Sequence, residues 1–108
     1  MLHLKNHSTL KDIQEYVRQL EAERGFDTTS SNIQIALQLG EEIGELYKAI
    51  RKEEKMRVDS NSTCTSIKEE LADILIYISA LANRYGIDLE KAFREKEERN
   101  KQRQWNMH

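Results

Sequence analysis

Leu71-Ala-Asp-Ile-Leu-Ile-Tyr-Ile-Ser-Ala-Leu-Ala82 is the stretch whose reading decides the fold. Apolar residues fill almost every position in it, and Asp73 is its only charge. A helix that is apolar all round is a buried helix. A buried, unpaired carboxylate is costly, and it persists only when protonated, paired or bound to a metal. Glu70 stands three residues before Asp73, and Glu41-Glu42-Ile-Gly-Glu45 carries more carboxylates at the same spacing one helix earlier. Two carboxylate pairs on two helices point to a cation site.

Working outward, the apolar period is helical nearly everywhere. A first helix is expected from about Thr9 to Arg24, with Leu10, Ile13, Val17 and Leu20 as its inner stripe. Thr9 with Asp12 has the form of a capping box, and Gly25 is a stop signal. The polar stretch Phe26-Asp-Thr-Thr-Ser-Ser31 reads as a loop. A second helix spans about Asn32 to Lys55, with Ser31 as N-cap and a stripe of Ile35/Ala36, Leu39, Ile43, Leu46 and Ile50. Residues 56–65 have no period and read as a mobile connection. A third helix runs from about Ile67 to Tyr85, opened by the Ser66/Glu69 capping box and closed by Gly86. Asp88 caps a fourth, Leu89 to about Gln104, with a heavily charged surface.

The chain has 108 residues, no proline and four glycines, which favours one domain of long helices over a turn-rich β architecture. Residues 1–108 read as that single domain, with 1–8 flexible. The opening residues contain no apolar secretory core, and the one cysteine, Cys64, cannot form an internal disulfide, so a cytoplasmic protein is expected. No run is long and apolar enough for a membrane span. Charged residues make up 33% of the chain, yet the formal net charge is −2, unlike a general nucleic-acid binder. No nucleic-acid polymer and no membrane is therefore expected as a partner. A small domain with one all-round apolar helix calls for oligomerisation.

Helical residues three apart share a face, so Glu42 with Glu45, and Glu70 with Asp73, are two same-face pairs. Glu42 lies between Leu39 and Leu46 on the inner stripe and is expected to point inward. If the second and third helices pack antiparallel, four carboxylates can meet in the interior. Oxygen donors without histidine or cysteine suit Mg²⁺, with Mn²⁺ as a substitute. His3, His7 and His108 lie near the chain ends, and the Glu-x-x-His pair of a di-iron bundle is missing. Magnesium keeps waters and is often completed by substrate phosphates, which points to phosphoryl chemistry. The alternative for any one glutamate pair is a solvated helix face. That is the better reading for Glu53/Glu54 and Glu97/Glu98.

Glu41-Glu42-Ile-Gly-Glu45, 24 intervening residues, then Glu70-Leu-Ala-Asp73 resembles the Glu-Glu-x-x-Glu…Glu-x-x-Asp pattern of MazG-like all-α NTP pyrophosphatases. Gly40–Leu46, Glu69–Tyr77 and Gly86–Glu90 are similar to the dCTP-pyrophosphatase branch in order and wording. The Lys96-x-x-x-Asn100-x-x-Arg103 tail resembles that branch too. Trp105 stands where the family usually has tyrosine, and the 25–31 loop is shorter than in dCTP enzymes. The resemblance implies an all-α bundle of four to five helices, completed as a homodimer or homotetramer. It implies a Mg²⁺-dependent nucleoside triphosphate pyrophosphohydrolase that yields a monophosphate and pyrophosphate. House-cleaning of surplus or non-standard deoxynucleotides, with dCTP-like substrates favoured, goes with it. Metal ligands would be Glu42, Glu45, Glu70 and Asp73, with Glu41 or Glu45 taking the proton of an attacking water.

Lys96, Asn100 and Arg103 fall on one helical stripe and are candidates for the phosphates, against the alternative of a solvated charged face. Lys48 and Arg51 could also reach phosphate, although pairing with Glu45 and Glu54 is the better use of them. Phe26 and Trp105 are candidates to sandwich a base, and Asn32 to read its edge, unless it is a local cap. Tyr77 shares the Glu70–Asp73 face, where it either packs in the core or bonds a ligand carboxylate. Cys64 is incidental. From another class, the rival is a non-catalytic helical oligomerisation module that keeps the fold. It explains the apolar third helix but not a charge in the middle of it.

Overall fold

The computed structural model describes residues 2–56 and 65–103. Five helices follow one another: α1 Leu10–Arg24, α2 Phe26–Thr29, α3 Asn32–Glu53, α4 Ile67–Arg84 and α5 Leu89–Lys101. The capping residues act as their chemistry requires. Thr9 and Ser66 accept from the third helical N–H while Asp12 and Glu69 reach back, and Ser31 with Gln34 makes a third capping box. Asp88 accepts from Lys91 N. Gly25 ends α1 in the left-handed region at φ 79°, where a side chain would be strained.

One element differs from expectation. Phe26–Thr29 is a single helical turn rather than an open loop. Thr28 and Thr29 both return their hydroxyls to the Gly25 carbonyl, which substitutes for the missing helical period. The second long helix stops at Glu53, two residues short of the expected Lys55. The expected connection 56–65 lies mostly outside the described residues, as do Cys64 and Trp105.

Val17, Leu20, Ile35 and Ala80 form the core, with Ile13, Tyr16, Ile76, Tyr77 and Leu81 packed against them. Ile35 meets Ala80 at one end of the α3–α4 pair, while Ala49 and Ile67 flank one cavity at the other, so the two helices run antiparallel. Helix α1 lies across their Ile35–Ala80 end. Gln14 staples it there: its amide donates to Asn83 Oδ1 and the Ile87 carbonyl, and its oxygen accepts from Leu89 N.

The third helix of the sequence reading, now α4, is not covered on every side by the described residues. Leu71, Leu75 and Ile78 are exposed on the face turned away from Ala80. Ile33, Leu37 and Tyr47 are exposed on the face of α3 turned away from Ile35. Each set repeats at three- or four-residue steps or their sums, the spacing of a helix–helix seam. The radius of gyration is 16.8 Å, against about 13 Å for a compact chain of this length.

Candidate active site

The antiparallel pairing brings Glu42 of α3 opposite Glu70 and Asp73 of α4. One ligating oxygen from each lies within 4.8 Å of the others. An octahedral magnesium shell, with oxygens at 2.0–2.1 Å, spans roughly 4.2 Å from one ligand to its opposite, so a small inward adjustment suffices. Glu70 is buried, and Thr65 donates to its Oε1. Its Oε2 is also buried, and no N–H or hydroxyl donor of the described residues reaches it. A buried oxygen with unmet capacity amid two more carboxylates lacks a cation or a proton.

The electrostatics agree. Glu42 is pushed up to about 7, first by a hydrogen bond shared with Glu70, then by burial and the charges of Glu70, Asp73 and Glu45. Glu70 is held below the usual carboxylate range by the Thr65 hydroxyl and by Glu42, against the effect of its burial. Together the pair keeps one proton close to neutrality. Like charges at this range cannot all ionise freely, which is the arrangement that a divalent cation relieves.

Glu45 is not the fourth member of this cluster among the described residues. Its Oε1 takes Lys48 Nζ at 3.4 Å, one turn along α3. Its charge still bears on Glu42, so it stands nearby, outside the three-oxygen set. Glu41 is exposed, and its charge bears on Tyr77. Tyr77 is half-buried, and its phenol is pushed up by burial and then by Glu42, Asp73 and Glu41.

A cavity of about 170 Å³ opens directly beside the cluster, with Asp73 and Tyr77 on one wall and Phe26 and Ser30 on another. It brings the candidate base-stacking residue to the carboxylates. Asn32 is not in its lining, and its Oδ1 accepts from Arg84 Nη1 at 3.2 Å. Lys96 is exposed on α5 and contributes to neither the cluster nor this cavity. Asn100 is half-buried near the end of α5, and Arg103 lies just beyond that helix.

Two residues that the pattern did not single out shape the cavity: Glu21 lines it, and Arg84 braces its walls from behind. Arg84, at the end of α4, donates to Glu21 Oε2 at 2.7 Å, to the Phe26 carbonyl at 3.0 Å and to the Ser30 carbonyl at 2.6 Å. It ties α1, both ends of α2 and the start of α3 to the helix that carries Asp73. Their separation of 63 residues hides the Glu21–Arg84 pair from any local pattern. The one available signal was Glu21 itself, one place from Leu20 on the inner side of α1.

Fold and site define a class: an all-α protein with a cluster of three carboxylates between two antiparallel helices and a small cavity at its side. The chain belongs to the MazG nucleotide pyrophosphohydrolase domain family, whose model matches residues 30–108. It is similar to dCTP pyrophosphatase 1 of Rattus norvegicus, 32% identical over 99 residues, and of Bos taurus, 33% identical over 99 residues. Each match covers 88% of this chain, which spans 58% and 59% of those relatives' lengths. It is also similar in structure to iMazG from Vibrio DAT 722. The TM-score is 0.66 at 34% identity, covering 87% of this chain and 99% of that one.

Proposed function

We propose that this chain is a divalent-metal-dependent nucleoside triphosphate pyrophosphohydrolase, releasing pyrophosphate and leaving the nucleoside monophosphate. The observation that carries this reading is the convergence of Glu42, Glu70 and Asp73 beside a cavity walled by Phe26. Family membership supports it, as do the dCTP pyrophosphatase 1 relatives.

Glu42, Glu70 and Asp73 would hold the ion, with Mg²⁺ as the fitting choice for an all-oxygen set and Mn²⁺ as a substitute. When bound, it supplies charge neutralisation for the triphosphate and a water of lowered pKa. Glu45 joins the ligand set only if it leaves Lys48. Otherwise, Glu45 and exposed Glu41 are the bases available to take a proton from water attacking the α-phosphorus. Phe26 offers a ring face for a base, and Trp105 is a candidate for its other side. Asn32 more readily serves as a partner of Arg84 than as a reader of the base. Lys96, Asn100 and Arg103 are assigned to the phosphates, and since none of them lines the cavity beside the cluster, delivery from a neighbouring copy is the proposed route.

The substrates proposed are deoxynucleotides of the dCTP type, in a house-cleaning role in the cytoplasm. None of the described helices is long and apolar enough to cross a membrane. The seams on α3 and α4 support a homodimer or homotetramer that buries Leu37, Leu71, Leu75 and Ile78.

Glu70→Gln and Asp73→Asn test the assignment. Each should fold, as judged by circular dichroism, and lose at least about a hundredfold in pyrophosphate release from dCTP with Mg²⁺. A folded variant that works at the wild-type rate contradicts it.

A further inference from the structure

One polar side chain in the wall of the 170 Å³ cavity is deeply buried. Glu21 is 7% exposed, whereas Arg24 and Gln38, which also line the cavity, are exposed. Its Oε2 is committed to Arg84, and the same guanidinium fixes the backbone on either side of the Phe26 turn. Carboxylate and aromatic ring are therefore parts of one braced unit. Glu21 Oε1 accepts no hydrogen bond among the described residues. A carboxylate oxygen has two acceptor positions, and Glu21 is part of the cavity wall, where a donor can meet it.

Holding α1 against α4 does not by itself call for an ion pair. An apolar pair of similar volume does that at least as well, without the desolvation cost of two charges. What an apolar pair would lack is an acceptor in the cavity wall.

We propose that Glu21 is the base-reading residue of this site, accepting a hydrogen bond from the exocyclic amine of a base stacked on Phe26. This rests on the reading of the site as one for nucleoside triphosphates. Carboxylates accept from the 4-amino group of cytosine in nucleic-acid recognition. A 4-oxo group in the same place sets two acceptors against each other and leaves the carboxylate unpaired. Glu21 thus selects a base with an amine at that position over its keto counterpart.

Three substrates test this: dCTP, dUTP, and the 2-pyrimidinone deoxynucleoside triphosphate, which has neither amine nor keto group at that position. Wild-type kcat/KM for dCTP should exceed that for the other two by about tenfold or more, mainly through KM. In Glu21→Gln the dCTP-to-dUTP ratio should fall to near parity, because an amide can turn its NH₂ toward the keto oxygen. A purely structural role would lower activity on all three alike. An unchanged ratio in Glu21→Gln overturns the proposal. If Glu21→Gln does not fold, the wild type decides alone: no preference for dCTP over the amine-free analogue overturns it. Turnover of all three without ranking defeats only the base-reading role, whereas turnover of none defeats the nucleotide reading beneath it.

Discussion

Replacing Glu42 with glutamine should stabilise the metal-free protein at alkaline pH and leave it nearly unchanged in mild acid. Glu42 titrates at about 7 in the folded chain against the usual 4.5. Below pH 4.5 the folded and unfolded chains both carry the proton. As pH rises from 4.5 to 7 the folded state still holds a proton that the unfolded state has released, so stability falls. Above about 7 the full penalty applies. At about 1.36 kcal/mol per pH unit the difference amounts to roughly 3 kcal/mol. Coulomb repulsion between unit charges 4.8 Å apart gives a similar figure, about 3 kcal/mol per pair at an effective dielectric constant near 20. Glu42 is only half-buried, so solvent screening brings the expected gain down to about 1–2 kcal/mol. Glutamine reproduces the protonated carboxyl, including a donor toward Glu70. For a domain of this size the gain is a rise of about 5–10 °C in Tm. Melting curves in metal-free buffer at pH 8.5 and pH 5 read it directly. Saturating Mg²⁺ at pH 8.5 should raise the wild-type Tm more than that of the variant. The reasoning is refuted if Glu42→Gln melts at or below the wild type at pH 8.5, or gains equally at both pH values.

Two further perturbations probe other parts of the structure. Arg84→Met leaves Glu21 buried without its partner and frees the carbonyls of Phe26 and Ser30, so denaturant titration should show a loss of about 3 kcal/mol. Leu75→Lys puts a charge in the seam of α4, and sedimentation velocity should show dissociation to monomers while the helical circular-dichroism signal is kept.

Helices and carboxylate cluster were legible for the same reason: both depend on short-range spacing. Leu39, Ile43 and Leu46 set the inner face of α3, and Glu42 had to share it. Glu70 and Asp73 had to share a face of α4. Thr9, Ser66 and Gly25 announce their caps and stops within a few residues. Spacing anticipated the Lys48–Glu45 pair, but it could not show that this pair would leave Glu45 outside the cluster while Glu42 turned to it, because both glutamates lie near the inner face and their rotamers decide between them. Nor could it find α2, a single turn held by Thr28, Thr29 and a guanidinium from α4 rather than by a period of its own. The brace of Arg84 on Glu21 and the staple of Gln14 on Asn83 join residues 63 and 69 apart, and polar pairs at such range leave no mark on local pattern. The all-round apolar run of α4 did carry non-local information. Its exposed face is the part of that run for which the described residues supply no cover.

The central claim is best tested by incubating the wild-type protein with dCTP and Mg²⁺ in ¹⁸O-labelled water and analysing the products by mass spectrometry. The account predicts dCMP and pyrophosphate in equal amounts, with the label in dCMP, because water attacks the α-phosphorus. Formation of dCDP and inorganic phosphate, label found in pyrophosphate, or no turnover with either Mg²⁺ or Mn²⁺ would contradict it.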